Sequence, residues 1–238
     1  MKYISMEFRR SLFSLNFWVG ILGVSLAHFI SIHKVVENVI SVYNTYQCAV
    51  YFTPYIISLI FCVLPFGLSF CEDMENNLKM YVFSKVIIIY ITSCLAMVLG
   101  TILFVFIINI KAPWICEIDK LDNDLLAKMF ILKGYPMIYF VIKAFYSGII
   151  SSVISLVAAV LSLFWQNRMF VLSIPFIVYC ILLYYVKDVF KLDIRELFNP
   201  VYGKNNMIIS FLLSIGITIL LGGYVYLKLW RQYNEKGI

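Results

Sequence analysis

The sequence has very little charge for its length. Only 13% of its 238 residues are Asp, Glu, Lys or Arg, whereas 63% are hydrophobic. Soluble domains carry about 25% charged residues, so this chain lacks the polar surface that a water-soluble fold needs. The composition therefore predicts an integral membrane protein, with the lipid bilayer as its solvent.

Motifs that bind nucleotides or metals are also absent from the sequence. No GxxxxGK[ST] occurs, so the chain has no loop of the kind that cradles ATP phosphates. The only histidines are His28 and His33, which form no HExxH pattern, so no zinc site is expected. The sequence contains no GxSxG motif, no paired intramembrane carboxylates and no cysteine–histidine dyad, each of which would indicate an embedded enzyme. We therefore predict no catalytic residue, no metal site and no cofactor in this chain.

Neither the cysteines nor the basic residues indicate a specialised site. The six cysteines form no CxxC pair, and four of them lie in or beside apolar runs, which favours buried, inert thiols. A disulfide between Cys48 and Cys116 is the alternative, if both lie on the outer side. The net charge of +6 is spread along the chain, so it fits anionic lipid headgroups better than a nucleic-acid partner.

Six apolar segments are long enough, or nearly so, to cross a bilayer. A helix needs about 20 apolar residues to cross the hydrocarbon core, and it pairs its backbone polar groups internally. We predict an all-α protein with a single transmembrane domain over residues 1–238. Its six predicted spans are Leu15–Ile32, Ala49–Phe70, Val86–Ile110, Met137–Phe164, Met169–Val186 and Met207–Leu227.

The N-terminal residues determine the expected orientation. The Lys and Arg counts on the two sides are nearly equal, but Arg9 and Arg10 stand directly before the first span, which favours a cytoplasmic N-terminus. An even number of spans then places both termini in the cytoplasm. Apolar residues at helical spacing within residues 1–14 predict an interfacial amphipathic helix, or alternatively an early start of the first span. A signal peptide cleaved at Ser25-Leu26-Ala27 is a rival interpretation, although the apolar run continues beyond that point.

One charged segment, from Ser69 to Val86, stands between two uncharged runs. It contains no Gly or Pro turn former, and its acidic residues crowd the start of a helical pattern, where they favour the helix dipole. Lys79 follows Glu75 by four residues, which adds an ion pair on the helix surface. Its apolar residues recur at helical spacing: Met74, Leu78, Tyr81 and Val82. The segment predicts a short cytoplasmic amphipathic helix, of the kind that docks into a groove on a partner.

The fourth predicted span carries a polar stripe with a repeat of four residues: Lys143, Ser147, Ser151 and Ser155. A charge inside a span costs several kcal/mol, so Lys143 is predicted to face a pathway or a partner. Snorkelling of its side chain to the outer edge is the alternative. Serines at this spacing also let helices pack closely, which is the simpler explanation for most of them. We predict that these four residues line a pathway.

Two further helices are predicted on the outer side, over Asp122–Lys133 and Lys187–Phe198. Gly134 and Pro136 are expected to end the first, and Asn199-Pro200 the second. Neither helix carries a useful array of catalytic residue types. We expect both to rest as lids on the outer membrane surface, with plain connecting helices as the alternative.

The layout of the chain resembles the six-span permease subunit of an ABC-2-type transporter, of the short kind found in Gram-positive bacteria. The resemblance covers essentially the full length and rests on four stretches. They are the basic start MKYISMEFRRSLFSLNFWVG, the acidic link FCEDMENNLKMYVFSKV, the fourth span running into SLFWQNRMFVLSIPFIVY, and the outer segment ending at Asn199-Pro200.

This resemblance implies an exporter in the bacterial plasma membrane, built from two permease subunits, identical or related, and a separate subunit that binds ATP and Mg²⁺. In the family, the link between spans two and three is a coupling helix seated in the ATPase. By position, that role falls on Glu72, Asp73, Glu75 and Lys79. A second contact falls on the turn formed by Trp165, Gln166, Asn167 and Arg168.

The same analogy suggests a membrane-active peptide as the cargo, which the complex exports or to which it gives immunity. Two other classes of function remain open at this stage. One is a membrane-embedded enzyme, and the other is a non-transporting membrane scaffold or sensor that holds a partner through the same acidic segment.

Overall fold

Helices make up the fold in the part of the chain that the structure describes. The computed structural model describes residues 8–32, 41–51, 56–64, 78–116, 124–165, 167–190 and 204–235. Within these ranges no strand occurs, which confirms the all-α prediction. The helices are α1 (Leu15–Ile32), α2 (Val42–Tyr51), α3 (Ile56–Val63), α4 (Leu78–Asn109), α5 (Leu125–Phe130), α6 (Pro136–Ser162), α7 (Arg168–Phe190) and α8 (Lys204–Glu235).

Four of the described helices are long and apolar enough to cross a membrane. They are α1, the part of α4 from Tyr81 to Asn109, α6, and the part of α8 from Phe211 to Arg231. These helices confirm the first, third, fourth and sixth predicted spans as candidate spans. The second predicted span, Ala49–Phe70, includes α3 but overlaps only the last three residues of α2, and its residues 52–55 and 65–70 lie outside the described ranges. The fifth coincides with α7, whose apolar part is the shorter stretch Met169–Ile181.

The core consists of three hydrophobic clusters that follow one another along the helices. The basal cluster contains Tyr81, Val82, Val86, Ile88, Ile89, Leu156, Ala159, Val160, Val225 and Leu229. The middle cluster contains Phe17, Ile21, Val24, Leu59, Cys62, Val63, Ala96, Met97, Ile154, Ala158, Val171 and Phe176. The distal cluster contains Ile32, Val42, Tyr43, Tyr46, Ala49, Phe104, Val105, Ile108, Ala112, Ala127, Ile131, Tyr139 and Phe140.

The order of the clusters gives the direction of each long helix. Helix α4 passes from the basal to the distal cluster, and α1 passes from the middle to the distal cluster, so these two helices run in the same sense. Helix α6 runs in the opposite sense, from Tyr139 in the distal cluster to Val160 in the basal cluster. Both ends of the described chain meet at the basal end, because Phe8 and Leu229 pack in the same cluster.

Two glycines allow the helices to approach closely. A Cβ added at Gly100 of α4 would lie 2.6 Å from the Cβ of Val24 in α1. A Cβ added at Gly148 of α6 would lie 2.7 Å from the Sγ of Cys94 in α4. Both distances are too short for real carbon atoms, so glycine is required where α4 packs against α1 and α6.

The charged segment before α4 differs in part from the prediction. Residues 65–77, which include Glu72, Asp73 and Glu75, lie outside the described ranges. Helix α4 begins at Leu78 and continues without interruption into the candidate span, so the described part belongs to a long helix. Tyr81 and Val82 are buried in the basal cluster. These two side chains of the predicted apolar edge therefore pack against the chain's own core, and docking of the segment on a partner stays a prediction.

The described cysteines and histidine belong to the packed interior or its margin. Cys48, Cys62, Cys94, Cys116 and Cys180 form no disulfide with one another, so the alternative of a Cys48–Cys116 bridge is wrong. His28 is fully buried, and its Nδ1 lies 2.8 Å from the carbonyl oxygen of Val24, one turn earlier in α1. Its ring centroid lies 5.0 Å from that of Phe104, which places it in the distal part of the core.

Candidate functional site

The short helix α5 begins at Asp124. The Asp124 backbone is extended, and its Oδ1 accepts hydrogen bonds from the backbone N–H groups of Leu126, at 3.1 Å, and Ala127, at 3.2 Å. This arrangement is an N-cap, which pairs two of the backbone donors that a helix start leaves unsatisfied. The predicted helix over Asp122–Lys133 was too long at its C-terminal end, because α5 ends at Phe130 and turns follow it.

The apolar face of α5 lies on the distal cluster. Ala127 and the following Ile131 are buried there, and Leu126 and Phe130 pack against the same cluster. Met129 of the same helix is half exposed. After the turn, Gly134 adopts a φ of 85°, which glycine accommodates without strain, and Pro136 starts α6. The helix is thus folded back against the bundle directly before α6 begins.

The second oxygen of Asp124 joins α5 to α6. Its Oδ2 accepts a hydrogen bond of 2.8 Å from the hydroxyl of Tyr139 and lies 3.2 Å from the Nζ of Lys143. Tyr139 and Lys143 are four residues apart in α6 and therefore lie on one face of that helix. Gln47 of α2 completes the group, since its Nε2 donates to the Tyr139 hydroxyl at 2.8 Å and lies 3.4 Å from Oδ2. We call Gln47, Asp124, Tyr139 and Lys143 the polar cluster.

The Asp124–Lys143 ion pair is almost completely buried. Asp124 is 2% exposed and Lys143 is 5% exposed, so the lysine does not snorkel to the surface and that alternative is wrong. The pair lies within ion-pair distance, yet among the described residues Nζ has no acceptor that meets the geometry of a hydrogen bond. An ammonium has three donors to satisfy. Its contact with Asp124 is therefore mainly electrostatic, and its hydrogen bonding is incomplete.

Aromatic rings surround the polar cluster. The ring centroids of Tyr43 and Tyr139 lie 5.8 Å apart, those of Tyr46 and Phe140 lie 5.3 Å apart, and those of Trp114 and Phe140 lie 6.0 Å apart. The Nζ of Lys143 lies 5.5 Å from the Tyr139 ring centroid, within the range of a cation–π contact. Because Asp124 and Lys143 are almost completely buried beside these rings, the attraction between their charges is stronger than it would be at a surface.

The serines of the predicted polar stripe make packing contacts. Ser151 and Ser155 are fully buried, and each donates a 2.8 Å hydrogen bond to a backbone carbonyl of α6. The hydroxyl of Ser155 also lies 2.8 Å from that of Ser93 in α4. Ser147 is half buried and lies 3.3 Å from the carbonyl oxygen of Lys143. Their role in lining a pathway stays a prediction.

The predicted coupling residues lie at the basal end, so far as the structure describes them. Trp165 and Asn167 are exposed in the turn between α6 and α7, and Asn167 caps α7 by accepting a 3.0 Å hydrogen bond from the Met169 backbone N–H. Arg168 is the first residue of α7, and Lys79 lies in the first turn of α4. Gln166, Glu72, Asp73 and Glu75 lie outside the described ranges. Contact with an ATPase stays a prediction.

Three members of the polar cluster were not assigned to a site from the sequence: Gln47, Asp124 and Tyr139. The only sequence signal for Asp124 is an acidic residue directly before a short apolar run, which indicates an N-cap and not a contact with Lys143. Nothing in the pattern around Gln47 distinguishes it from the polar residues beside it. In the described part of the chain, no group of three or more His, Cys, Asp or Glu residues is placed to hold a metal ion.

Comparisons with protein-family models, with curated proteins and with solved structures found no match. The functional interpretation therefore depends on the residues of the chain and on their geometry.

Proposed function

We propose that this chain is the six-span permease subunit of an ATP-driven exporter in the bacterial plasma membrane. In this proposal a separate ATP-binding subunit, which holds ATP and Mg²⁺, docks on the cytoplasmic face. A second permease subunit, identical or related, completes the transmembrane pore. The exported compound, or the agent against which the complex protects, is a membrane-active peptide.

The observation that carries the proposal is the continuity of α4. This helix has 32 residues, so it is about 48 Å long at a rise of about 1.5 Å per residue. It starts directly after the acidic segment, contributes Tyr81 to the basal cluster, and reaches Phe104 and Ile108 in the distal cluster. A displacement of the acidic segment by an ATPase would therefore be transmitted by one stiff helix to the layer that contains the polar cluster.

The packing of the shorter helices supports six crossings. Helix α2 contributes Val42 and Tyr43 to the distal cluster, and α3 contributes Leu59 and Cys62 to the middle cluster, so together they lead from the distal towards the basal end. Helix α7 leaves from the basal end and contributes Val171 and Phe176 to the middle cluster. Two further crossings along these paths would leave both termini on the basal side. The positions of Arg9 and Arg10 identify that side with the cytoplasm in our proposal.

The exposed apolar surface of α8 favours apolar neighbours outside the chain. Only 17% of the most apolar 18-residue stretch of α8 is buried within the chain, compared with 56% for α1. Its exposed large apolar residues include Leu212, Ile219, Leu220 and Leu227. Such a surface is stable only next to lipid or another apolar helix. Membrane lipid and a second permease subunit are the neighbours that the proposal supplies.

The proposal is tested by co-purification and transport. The chain is purified from the membranes of its native host through a tag, so that a partner ATP-binding subunit can co-purify with it. We expect the ATPase to co-purify with the unaltered chain and to be lost when Glu72, Asp73 and Glu75 are all changed to alanine. Vesicles that contain the intact complex should move a fluorescently labelled lantibiotic only when ATP is supplied.

A matched control removes the same number of acidic residues from the other end of the bundle. Changing Glu117, Asp119 and Asp122 to alanine alters the link between α4 and α5, and the ATPase should still co-purify. Loss of the ATPase with this control and not with the first variant would overturn the proposed orientation. Co-purification without ATP-dependent movement of the peptide would favour a scaffold or sensor.

A further inference from the structure

A single carboxylate both starts α5 and fastens it to the bundle. Through Oδ1, Asp124 caps the first backbone N–H groups of α5, and through Oδ2 it meets Tyr139 and Lys143 of α6. The two functions share one side chain. If Asp124 left the polar cluster, α5 would therefore lose its attachment to α6, and the geometry that holds its cap would change at the same time.

Helix α5 has little stability of its own. It contains only six residues, and helices much shorter than about 12 residues are marginal in water even with favourable sequences. Its other attachment is the apolar contact of Ala127 and Ile131 with the distal cluster. Because the cap, the ion pair and this contact all depend on the same docked position, α5 is expected to dock and undock as one unit.

The ion pair is well suited to reversible release. Burial removes both charges from water, and this desolvation offsets much of the attraction that the pair gains, so a closed pair is only weakly favoured over separate hydrated charges. The incomplete hydrogen bonding of Lys143 further reduces the preference for the closed pair. Water or an entering anionic group would supply acceptors that the described residues do not.

We propose that Asp124 and Lys143 form a releasable latch, which holds α5 as a lid over the distal end of the bundle. Release of the latch lifts α5 and exposes the aromatic layer of Tyr43, Tyr46, Tyr139 and Phe140 beneath it. The inference concerns the chain itself and does not depend on the exporter proposal, because opening requires no ATPase.

The test measures how often α5 opens, from the reactivity of a cysteine on the buried face of this helix. The full-length chain is prepared with its six native cysteines replaced by alanine, and Ala127→Cys is added. Ala127 is fully buried on the face of α5 that contacts the bundle, so a membrane-impermeant maleimide reacts with the new thiol only when the lid opens. Met129→Cys, on the exposed side of the same helix, serves as the reference for unhindered reaction.

We expect Ala127→Cys to react slowly but to completion in the otherwise unaltered chain. Asp124→Asn keeps the size and the capping ability of the side chain and removes its charge, so the buried ammonium loses its counterion. Labelling should then become faster by about tenfold or more, because the rate follows the population of the open form. Lys143→Met leaves the cap intact and should give a similar increase, which preserves the test if Asp124→Asn does not fold.

Two controls separate release of the pair from general damage. The combination of Asp124→Asn with Lys143→Met tests whether the two residues act as one pair, and it should label no faster than either single variant because the second change removes nothing further. Lys133→Met removes a charge from the exposed turn after α5 and should change nothing. The latch is overturned if both single variants label at the parental rate, if the increases of the two single variants multiply in the double variant, or if Ala127→Cys in the parent never reacts.

Discussion

At the scale of single residues, the interior of this protein is specified by a few unusual positions in a largely apolar chain. Lys143 is accommodated inside α6 because one carboxylate from outside that helix reaches it. Removing one member of a buried ion pair typically costs about 3–5 kcal/mol, because the other charge is left without compensation. Gly148 is unusual for a steric reason, since the backbone of α4 passes next to it.

The steric requirement at Gly148 gives a prediction for stability. In Gly148→Ala the new Cβ would lie 2.7 Å from the Cys94 Sγ and 3.1 Å from the Cys94 Cα, so α4 and α6 must move apart. We expect a loss of about 1–3 kcal/mol in the free energy of unfolding, as is usual for overpacked sites. Denaturation of the purified chain in detergent micelles, followed by circular dichroism, measures the change.

A second glycine provides the control for this experiment. At Gly216 of α8 an added Cβ meets no atom within 4 Å, so Gly216→Ala should leave stability unchanged or raise it slightly through better helix propensity. Equal destabilisation at the two sites would contradict the close packing of α4 against α6.

At the scale of the elements, α4 connects the layers of the molecule. It contributes to the basal, middle and distal clusters, and it packs against α1 through Gly100 and against α6 beside Gly148. Among the described helices, only α6, which runs in the opposite sense, also contributes to all three clusters. Within the exporter proposal, the stiffness of α4 is what carries movement from the acidic segment to the polar cluster.

This stiffness can be tested with a proline. Leu99 lies in the distal half of α4, partly exposed, and Leu99→Pro would remove one backbone hydrogen bond and kink the helix there. The basal part of α4 would remain, so we expect the ATPase to co-purify normally while ATP-dependent transport falls by about tenfold or more. Leu99→Ala is the matched control and should retain transport. Full transport by the proline variant would show that continuity of α4 is not required.

Part of this organisation is readable in the sequence. The apolar run from Leu15 to Ile32 predicts α1, which starts at Leu15 and continues to Ile32, the last residue of the described range, because composition alone identifies such a helix. The pattern around Tyr81 and Val82 was ambiguous, since an apolar stripe suits the protein's own core as well as a partner. The contact of Asp124 with Lys143 was not predictable, because it joins residues whose proximity depends on how α5 folds back before α6.

At the scale of the whole molecule, the bundle is asymmetric in how much of each helix it covers. Helices α1, α4 and α6 bury more than half of their most apolar 18-residue stretches, whereas α8 buries only 17% of its own. Helix α8 packs on the basal cluster through Val225 and Leu229. Within the exporter proposal, the exposed side of α8 is therefore the part of the described surface where the second permease subunit would pack.

Cysteine cross-linking tests this position. Leu220 lies on the exposed side of α8, and Leu220→Cys in a background without native cysteines should form disulfide-linked dimers in native membranes on mild oxidation. Leu22→Cys, at a similarly exposed site on α1, is the control and should remain monomeric on a denaturing gel. Equal cross-linking at the two sites would indicate random collision, and none at Leu220 would place the second subunit elsewhere.

The neutral pair of Asp124 and Lys143 has a consequence for the response of the protein to membrane voltage. While the two charges lie 3.2 Å apart they cancel, and the electric field across the membrane exerts almost no net force on them. If α5 lifts away from the bundle with Asp124, a negative charge moves through part of the membrane field, while the positive charge of the lysine stays behind. A full crossing is worth about 2.3 kcal/mol per charge at 100 mV, and a short movement is worth the corresponding fraction. In the proposed orientation, with the basal end in the cytoplasm, an interior-negative potential would then favour the open lid, so the resting polarisation of the cell would bias the latch towards release.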